Sequence, residues 1–169
     1  VNWRITFYNK KVKLQVLAFP EGILANFLHV AELIEEHGPK IGMPFTRSIG
    51  SGLFEIRAKG KEGIARGIEM NRPSLKELRK EALLRPAVKA EYDRLAPAFV
   101  LRKKLIGLRI AAGFTQEQMA RALKTHKSNI SRLENVDSTV SPTLSTIERY
   151  ARAAGYRLEI NFLPETQAK

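Results

Sequence analysis

The stretch Thr115-Gln116-Glu117-Gln118-Met119-Ala120-Arg121-Ala122-Leu123-Lys124-Thr125-His126-Lys127-Ser128-Asn129-Ile130-Ser131-Arg132-Leu133-Glu134 decides the fold of the second half of this chain. Thr115 followed three residues later by Gln118 is a capping-box pair, and it opens a helix that runs through Leu123. A second short helix fits from about Lys127 to Glu134. Two short helices that cross at a tight turn need a small side chain where they touch, and Ala120 supplies it. Ile130 and Leu133, three residues apart, anchor the second helix inward. Between and before them stand short polar or cationic residues: Lys127, Ser128, Asn129 and Ser131. Side chains of that size and polarity can approach the edge of a major groove and bond to bases or phosphates.

Outward from this stretch the helical signal continues. Leu101, Leu105, Leu108 and Ala112 mark one face of a preceding helix that starts near Phe99 and ends at Gly113. Downstream, Ser141-Pro142 suits an N-cap followed by proline at the first helical position. Leu144, Ile147, Ala151 and Ala154 then line a fourth helix, closed by Gly155. Tyr156, Leu158, Ile160 and Phe162 alternate with Arg157, Glu159 and Asn161, which predicts an amphipathic strand ending at Pro164.

Residues 99–155 resemble the Cro/CI-repressor (XRE-like) helix-turn-helix family. The resemblance rests on the Thr115-Gln116-Glu117 opening with Ala120, on Ser128 to Glu134, and on Ser141 to Ala151. It implies a phosphate contact for Gln116, base contacts for Lys127, Ser128 and Asn129, and backbone contacts for Ser131 and Arg132 on double-stranded operator DNA. Ser131 has the alternative of being a plain helix-surface residue, and Arg132 that of pairing with Glu134 or a neighbouring acid. The family usually carries glycine in the turn where Lys124 stands, and a left-handed backbone at a residue other than glycine costs about 1 kcal/mol. The C-terminal strand needs an edge to pair with. That edge is either elsewhere in the chain or the same strand of a second copy, and a homodimer reading two half-sites is the favoured expectation.

The chain ahead of this domain has a different texture. Trp3, Ile5 and Phe7 alternate with Arg4, Thr6 and Tyr8, as in a half-buried strand. Leu24, Phe27, Leu28, Ala31 and Ile34 fall at helical spacing, and Gly38-Pro39 stops that helix. Lys40 to Gly52, with its glycines and Pro44, reads as a loop. Leu53 to Lys59 and Ile64 to Ile68 read as the two strands of a hairpin turning over Gly60 to Gly63. Phe7-Tyr8, Leu33 to Pro39, Gly42-Met43-Pro44, Gly52 to Arg57 and Gly63 to Arg66 together resemble the N-terminal part of RelE/HigB-like toxins of the phage-derived branch. Residues 70–169 resemble the matching HigA-type antitoxin.

The toxin resemblance implies cleavage of mRNA on the ribosome, with Arg57 and Arg66 as candidate catalytic cations on adjacent strands and Lys59 on the face of Arg57. It also implies a further apolar strand and a Lys-rich loop after Ile68. Met70 and antitoxin-like sequence follow instead, so residues 1–69 are not expected to act as a ribonuclease on their own. Either a toxin gene has eroded into its neighbour, or pieces separate in the source are joined here. The alternative function is an mRNA endonuclease held inactive by its fused or cognate antitoxin.

Residues 70–98 are charged and thin in apolar positions. Ser74 and Glu77 form a capping box, and Leu75, Leu78 and Ala82 give the helix a short apolar edge. An extended or conditionally folded arm is expected, holding a cognate toxin or the in-chain module through Leu75, Leu78 and Tyr92. The fold class is therefore α+β: an incomplete RelE-like module at 1–69, the arm at 70–98, and an all-α, lambda-repressor-like domain with a C-terminal strand at 99–163.

Charge agrees with this division. Lys and Arg total 29 against 17 acids, a formal net of +12. Residues 1–69 hold 10 basic and 7 acidic side chains, and residues 70–169 hold 19 and 10. The excess thus concentrates where a polyanionic partner is expected. The chain has no cysteine, which excludes disulfides and thiolate metal sites. His29, His37 and His126 lack metal-ligand spacing, so no cofactor is expected. No apolar run is long enough for a membrane span and no signal peptide is evident, so the expected location is cytoplasmic.

Overall fold

Asn9 sets the first helix. Its side chain accepts a hydrogen bond from the Val12 amide and caps α1 (Lys10–Leu17), a helix that the sparse apolar spacing of the segment did not announce. A computed structural model gives the structure of residues 3–7, 9–50, 53–68, 75–136, 138 and 141–161. The chain continues through α2 (Glu21–His37), a 3-10 turn (Pro39–Ile41), β1 (Thr46–Gly50), β2 (Leu53–Gly60) and β3 (Gly63–Ile68). It then enters α3 (Leu75–Ala82), α4 (Pro86–Ala111), α5 (Gln116–Ala122), α6 (Lys127–Glu134) and α7 (Leu144–Ala153).

The centre of the first core is α2. It is apolar nearly all round, and a helix of that kind is stable only when covered on every side. The antiparallel sheet, ordered β1-β2-β3, covers one side, and α4 covers another. Ile23, Leu24, Phe27, Leu28, Leu33 and Ile34 are buried against Ile56 and Ala58 of β2 and against Val88, Phe99 and Ile106 of α4. The one buried amide on this helix, Asn26, is used: its Oδ1 accepts from the Lys59 amide and pins β2 to α2.

Several expectations are corrected. Residues 3–7 form no strand beyond a single bridge at Thr6. Ile5 and Phe7 are buried, but Trp3 stays half exposed. The segment is held instead by its backbone: the Ile5 amide donates to Glu35 Oε1, and the Ile5 carbonyl accepts from the Leu75 amide. Residues 40–52 are more than a loop, because Thr46 to Gly50 pair with β2 as a third strand. Of the glycines that suggested a loop, Gly42 precedes the strand and Gly50 ends it at the irregularity after Ser48.

The arm is the largest correction. Residues 71–74 fall outside the described residues, and with them the Ser74 cap. From Leu75 onward, however, the arm is helical and part of the first core: Leu75, Leu78, Ala82 and Val88 are buried with α2. Lys76, Glu77, Arg79, Lys80 and Glu81 all lie on the exposed side of α3. The charge that suggested an uncommitted arm occupies one face of an amphipathic helix. No boundary falls at residue 98, because α4 passes through Pro97 as one helix of 26 residues. Its N-terminal part completes the first core. Leu105 joins the second, with Met119, Ala120, Ile130, Tyr150 and Ala154.

The C-terminal strand is also absent among the described residues. Tyr156 to Asn161 have no regular structure, with Tyr156 and Ile160 exposed, and Phe162 lies outside the described residues.

Candidate nucleic-acid interface

The capping box at Thr115 forms in both directions. Thr115 Oγ1 accepts from the Gln118 amide at 3.2 Å, and Gln118 Oε1 accepts from the Thr115 amide at 2.7 Å. The box fixes the start of α5. Ala120 is buried where α5 meets α6. The turn between them closes in a Schellman arrangement: the Thr125 amide donates to Ala120 O at 2.9 Å and the Lys124 amide to Arg121 O at 3.0 Å. That arrangement demands a left-handed residue, and Lys124 takes it with φ 51°. Leaving glycine out of the turn therefore does not shift the motif. It costs backbone strain in place.

The second helix of the pair, α6, divides cleanly. Ile130 and Glu134 point into the protein, while Lys127, Ser128, Asn129 and Arg132 are exposed. Asn129 is preset by its neighbours, donating from Nδ2 to Thr125 Oγ1 at 2.8 Å and accepting from Arg132 Nη1 at 3.4 Å. Arg132 thus pairs along its own helix rather than with Glu134. The following helix, α7, is capped by Thr143, whose Oγ1 accepts from the Thr146 amide, so it begins two residues after the Ser141-Pro142 pair.

Glu134 is the polar centre of the domain and wholly buried. Its carboxylate accepts from Arg109 Nε at 2.6 Å and Nη2 at 2.9 Å, from Gln116 Nε2 at 2.8 Å, and from the Tyr150 hydroxyl at 2.6 Å. One carboxylate therefore ties α4, α5, α6 and α7 together. Burial opposes the charge on Arg109, but the Glu134 carboxylate outweighs it and holds the guanidinium above its ordinary pKa. Burial, and next the Glu134 charge, push the Tyr150 phenol well up. Sequence reasoning missed Arg109 altogether. The available signal was its position four residues after Leu105, on the apolar face, just as Glu134 stands four residues after Ile130.

Gln116, the expected phosphate contact, does not face solvent: it is 6% exposed. Beyond Glu134, its Nε2 donates to the Met43 carbonyl at 2.7 Å. Ser131 is half buried and its Oγ donates to the same carbonyl at 3.4 Å. Next to this, Arg109 Nη2 donates to the Ile41 carbonyl at 2.7 Å. The 41–43 segment thus lies against the N-terminal end of α5 and one side of α6.

Comparison with known families agrees with both halves of this architecture. Residues 15–74 match the family of phage-derived Gp49-like proteins. Residues 100–158 match a helix-turn-helix domain. No curated protein and no solved structure matches the chain.

The chain thus carries a Gp49-like segment followed by a helix-turn-helix segment.

Within the Gp49-like segment, Arg57 on β2 stands directly opposite Arg66 on β3 in the strand register. The Arg66 side chain lies outside the described residues. Arg57 is half buried. Its Nη1 donates to Met43 Sδ at 3.4 Å, and its buried Nε has no partner among the described residues. It lines a cavity of about 220 Å³ with Asn26, Pro44, Phe45, Lys59, Ile64 and Asn135, the last contributed by the helix-turn-helix domain.

Leu75, Leu78 and Tyr92 all pack on the Gp49-like segment of their own chain. Tyr92 stacks on His29 with ring centroids 3.8 Å apart, donates its hydroxyl to Glu32 Oε1 at 2.7 Å, and accepts at its carbonyl from His29 Nε2. Desolvation, then the Glu32 hydrogen bond, raise the Tyr92 pKa, and burial lowers that of His29. No helix among the described residues is long and apolar enough to cross a membrane.

Proposed function

We propose that the chain is a sequence-specific DNA-binding repressor of toxin–antitoxin type, HigA-like in its second half, with Lys127, Ser128 and Asn129 reading bases and Arg132 holding the backbone. The observation that carries this reading is the two-sidedness of α6: its buried positions are the apolar Ile130 and the network centre Glu134, and its exposed ones include the short, polar or cationic Lys127, Ser128, Asn129 and Arg132. The high positive charge of residues 70–169 supports it. The test is a gel-shift titration of the full chain on duplex DNA from upstream of its own gene, against a scrambled duplex. Lys127→Ala and Asn129→Ala are each expected to reduce discrimination by about 1–3 kcal/mol. Equal affinity for both duplexes at moderate salt would rule the reading out. A homodimer reading two half-sites belongs to the same proposal, with Tyr156 and Ile160 as the exposed apolar positions available to a second copy. Sedimentation of the free and DNA-bound chain measures it.

A second reading, an mRNA endonuclease restrained by its own antitoxin half, is favoured by Arg57 alone. A half-buried guanidinium with a free Nε beside a polar cavity suits a phosphate. The test must use the full chain, because Leu75, Leu78, Val88 and Phe99 complete the core of the Gp49-like segment. Because the restraint hides activity in the wild type, the full chain is tested with Gln116→Ala and Ser131→Ala, which remove the bonds from the helix-turn-helix to the Met43 carbonyl. Growth arrest, relieved by adding Arg57→Ala at equal protein level, supports the reading, and unimpaired growth ends it.

A further inference from the structure

We infer that the Gly42-Met43-Pro44 loop is an internal competitor for DNA: the Met43 carbonyl occupies the acceptor position that a DNA phosphate takes at the helix-turn-helix, so binding requires the loop to swing away. This rests on the DNA-binding reading above and concerns its regulation.

The donors are the starting point. Gln116 Nε2 carries two hydrogens, and both are spent, one on Glu134 and one on the Met43 carbonyl. A phosphate oxygen can be bonded by this amide only if Met43 O is released, since Glu134 is locked behind it by Arg109 and Tyr150. Ser131 Oγ, the expected backbone contact on α6, is turned to the same carbonyl. The loop thus closes the phosphate side of the motif at both helices. The base-reading side stays open, with Lys127, Ser128 and Asn129 exposed. A main-chain carbonyl is a neutral stand-in for a phosphate oxygen. It satisfies the donors but offers the surrounding cations nothing, which leaves an anionic ligand with a differential advantage.

The loop conformation is built on Gly42. Its φ is +87°, while a Cβ there would meet Gln116 Cδ only at ordinary contact distance, 3.4 Å. The positive φ, not crowding against α5, is what favours glycine here. The swing is confined to the loop, because the rest of the Gp49-like segment is joined to α4 through Phe99, Val88 and Ile106. A valine at position 42 disfavours the observed loop conformation and changes no residue of the helix-turn-helix domain.

The experiment has two arms, both on the full chain. In the first, Gly42→Val is titrated with the upstream duplex beside wild type. Release of a loop closed in nine-tenths or more of molecules raises apparent affinity about tenfold. In the second, wild-type protein is oxidised with dilute peroxide, free and saturated with the duplex, and methionine sulfoxide is located by mass spectrometry. Met43 is expected to become several-fold more reactive on DNA, while buried Met119 stays unchanged. This arm needs no variant, so it stands if Gly42→Val fails to fold. Met43 equally or less reactive in the saturated complex, or Gly42→Val folded but binding no tighter, overturns the inference and leaves DNA binding intact. Failure of both proteins to bind any duplex at low salt overturns the DNA-binding reading and the inference with it.

Discussion

The two cores of this molecule are closed in different ways. The first wraps an almost wholly apolar helix, α2, in a sheet and two further helices, and two buried polar side chains of that helix are each held locally: Asn26 by a strand amide, and His29 between the rings of Tyr92 and Phe99. The second has few buried apolar side chains and puts a carboxylate at its centre. Where helices are short and apolar area is scarce, Glu134 does by hydrogen bonding what α2 does by area. The difference in chemistry predicts a difference in how each core fails. An apolar core loses stability roughly in proportion to what is removed. A network that satisfies a buried charge collapses when one member is lost.

The largest effect is therefore expected from Glu134→Ala. It strands a buried guanidinium and is expected to cost about 3–5 kcal/mol. Urea denaturation measures it, and a loss below about 1 kcal/mol would break the contrast. Leu78→Ala, at a wholly buried site in the first core, is expected to cost about 3 kcal/mol through lost burial and a cavity. Combined with Glu134→Ala it should add rather than compound, since the two sites share no partner. A sub-additive double mutant would show that the two sites are energetically coupled.

Acid should separate the cores next. Burial lowers the pKa of His29 and of His37, so in the folded state both stay neutral below the usual value of 6.5. The unfolded chain takes up those protons first. Stability is accordingly full above about pH 6.5 and falls as pH drops toward the folded pKa values, by up to about 1.4 kcal/mol per pH unit for each histidine. Thermal melts from pH 7.5 to 5 check the slope, and His29→Gln should flatten it. The smallest expected effect is a gain. Lys124→Gly removes the left-handed strain and should stabilise the helix-turn-helix by about 1 kcal/mol, read from the same denaturation curves.

What the sequence disclosed follows the range of the forces involved. The Thr115 capping box, the left-handed Lys124 and the β2–β3 hairpin are set within a few residues, and each is visible in the letters. α2 shows in its apolar spacing. The features that escaped depend on distant partners. β1 is a strand because β2 lies beside it, and α3 joins the core because α2 offers it a face. Arg109 passed unread, because its partner Glu134 stands 25 residues away. Gln116 shows the sharpest divergence. The motif implies an outward amide, and the Met43 carbonyl, 73 residues away in sequence, turns it inward.

Because α4 is continuous from Pro86 to Ala111, it sets a rotational phase between the two halves. Each residue of an α-helix advances the chain by about 100° and 1.5 Å. One residue added between Tyr92 and Phe99 would rotate Phe99 and Ile106 off the first core. It would turn the end of α5 away from the 41–43 segment by more than a quarter of a revolution. The length of one helix, counted in single residues, is what lets a carbonyl of the first half meet an amide of the second.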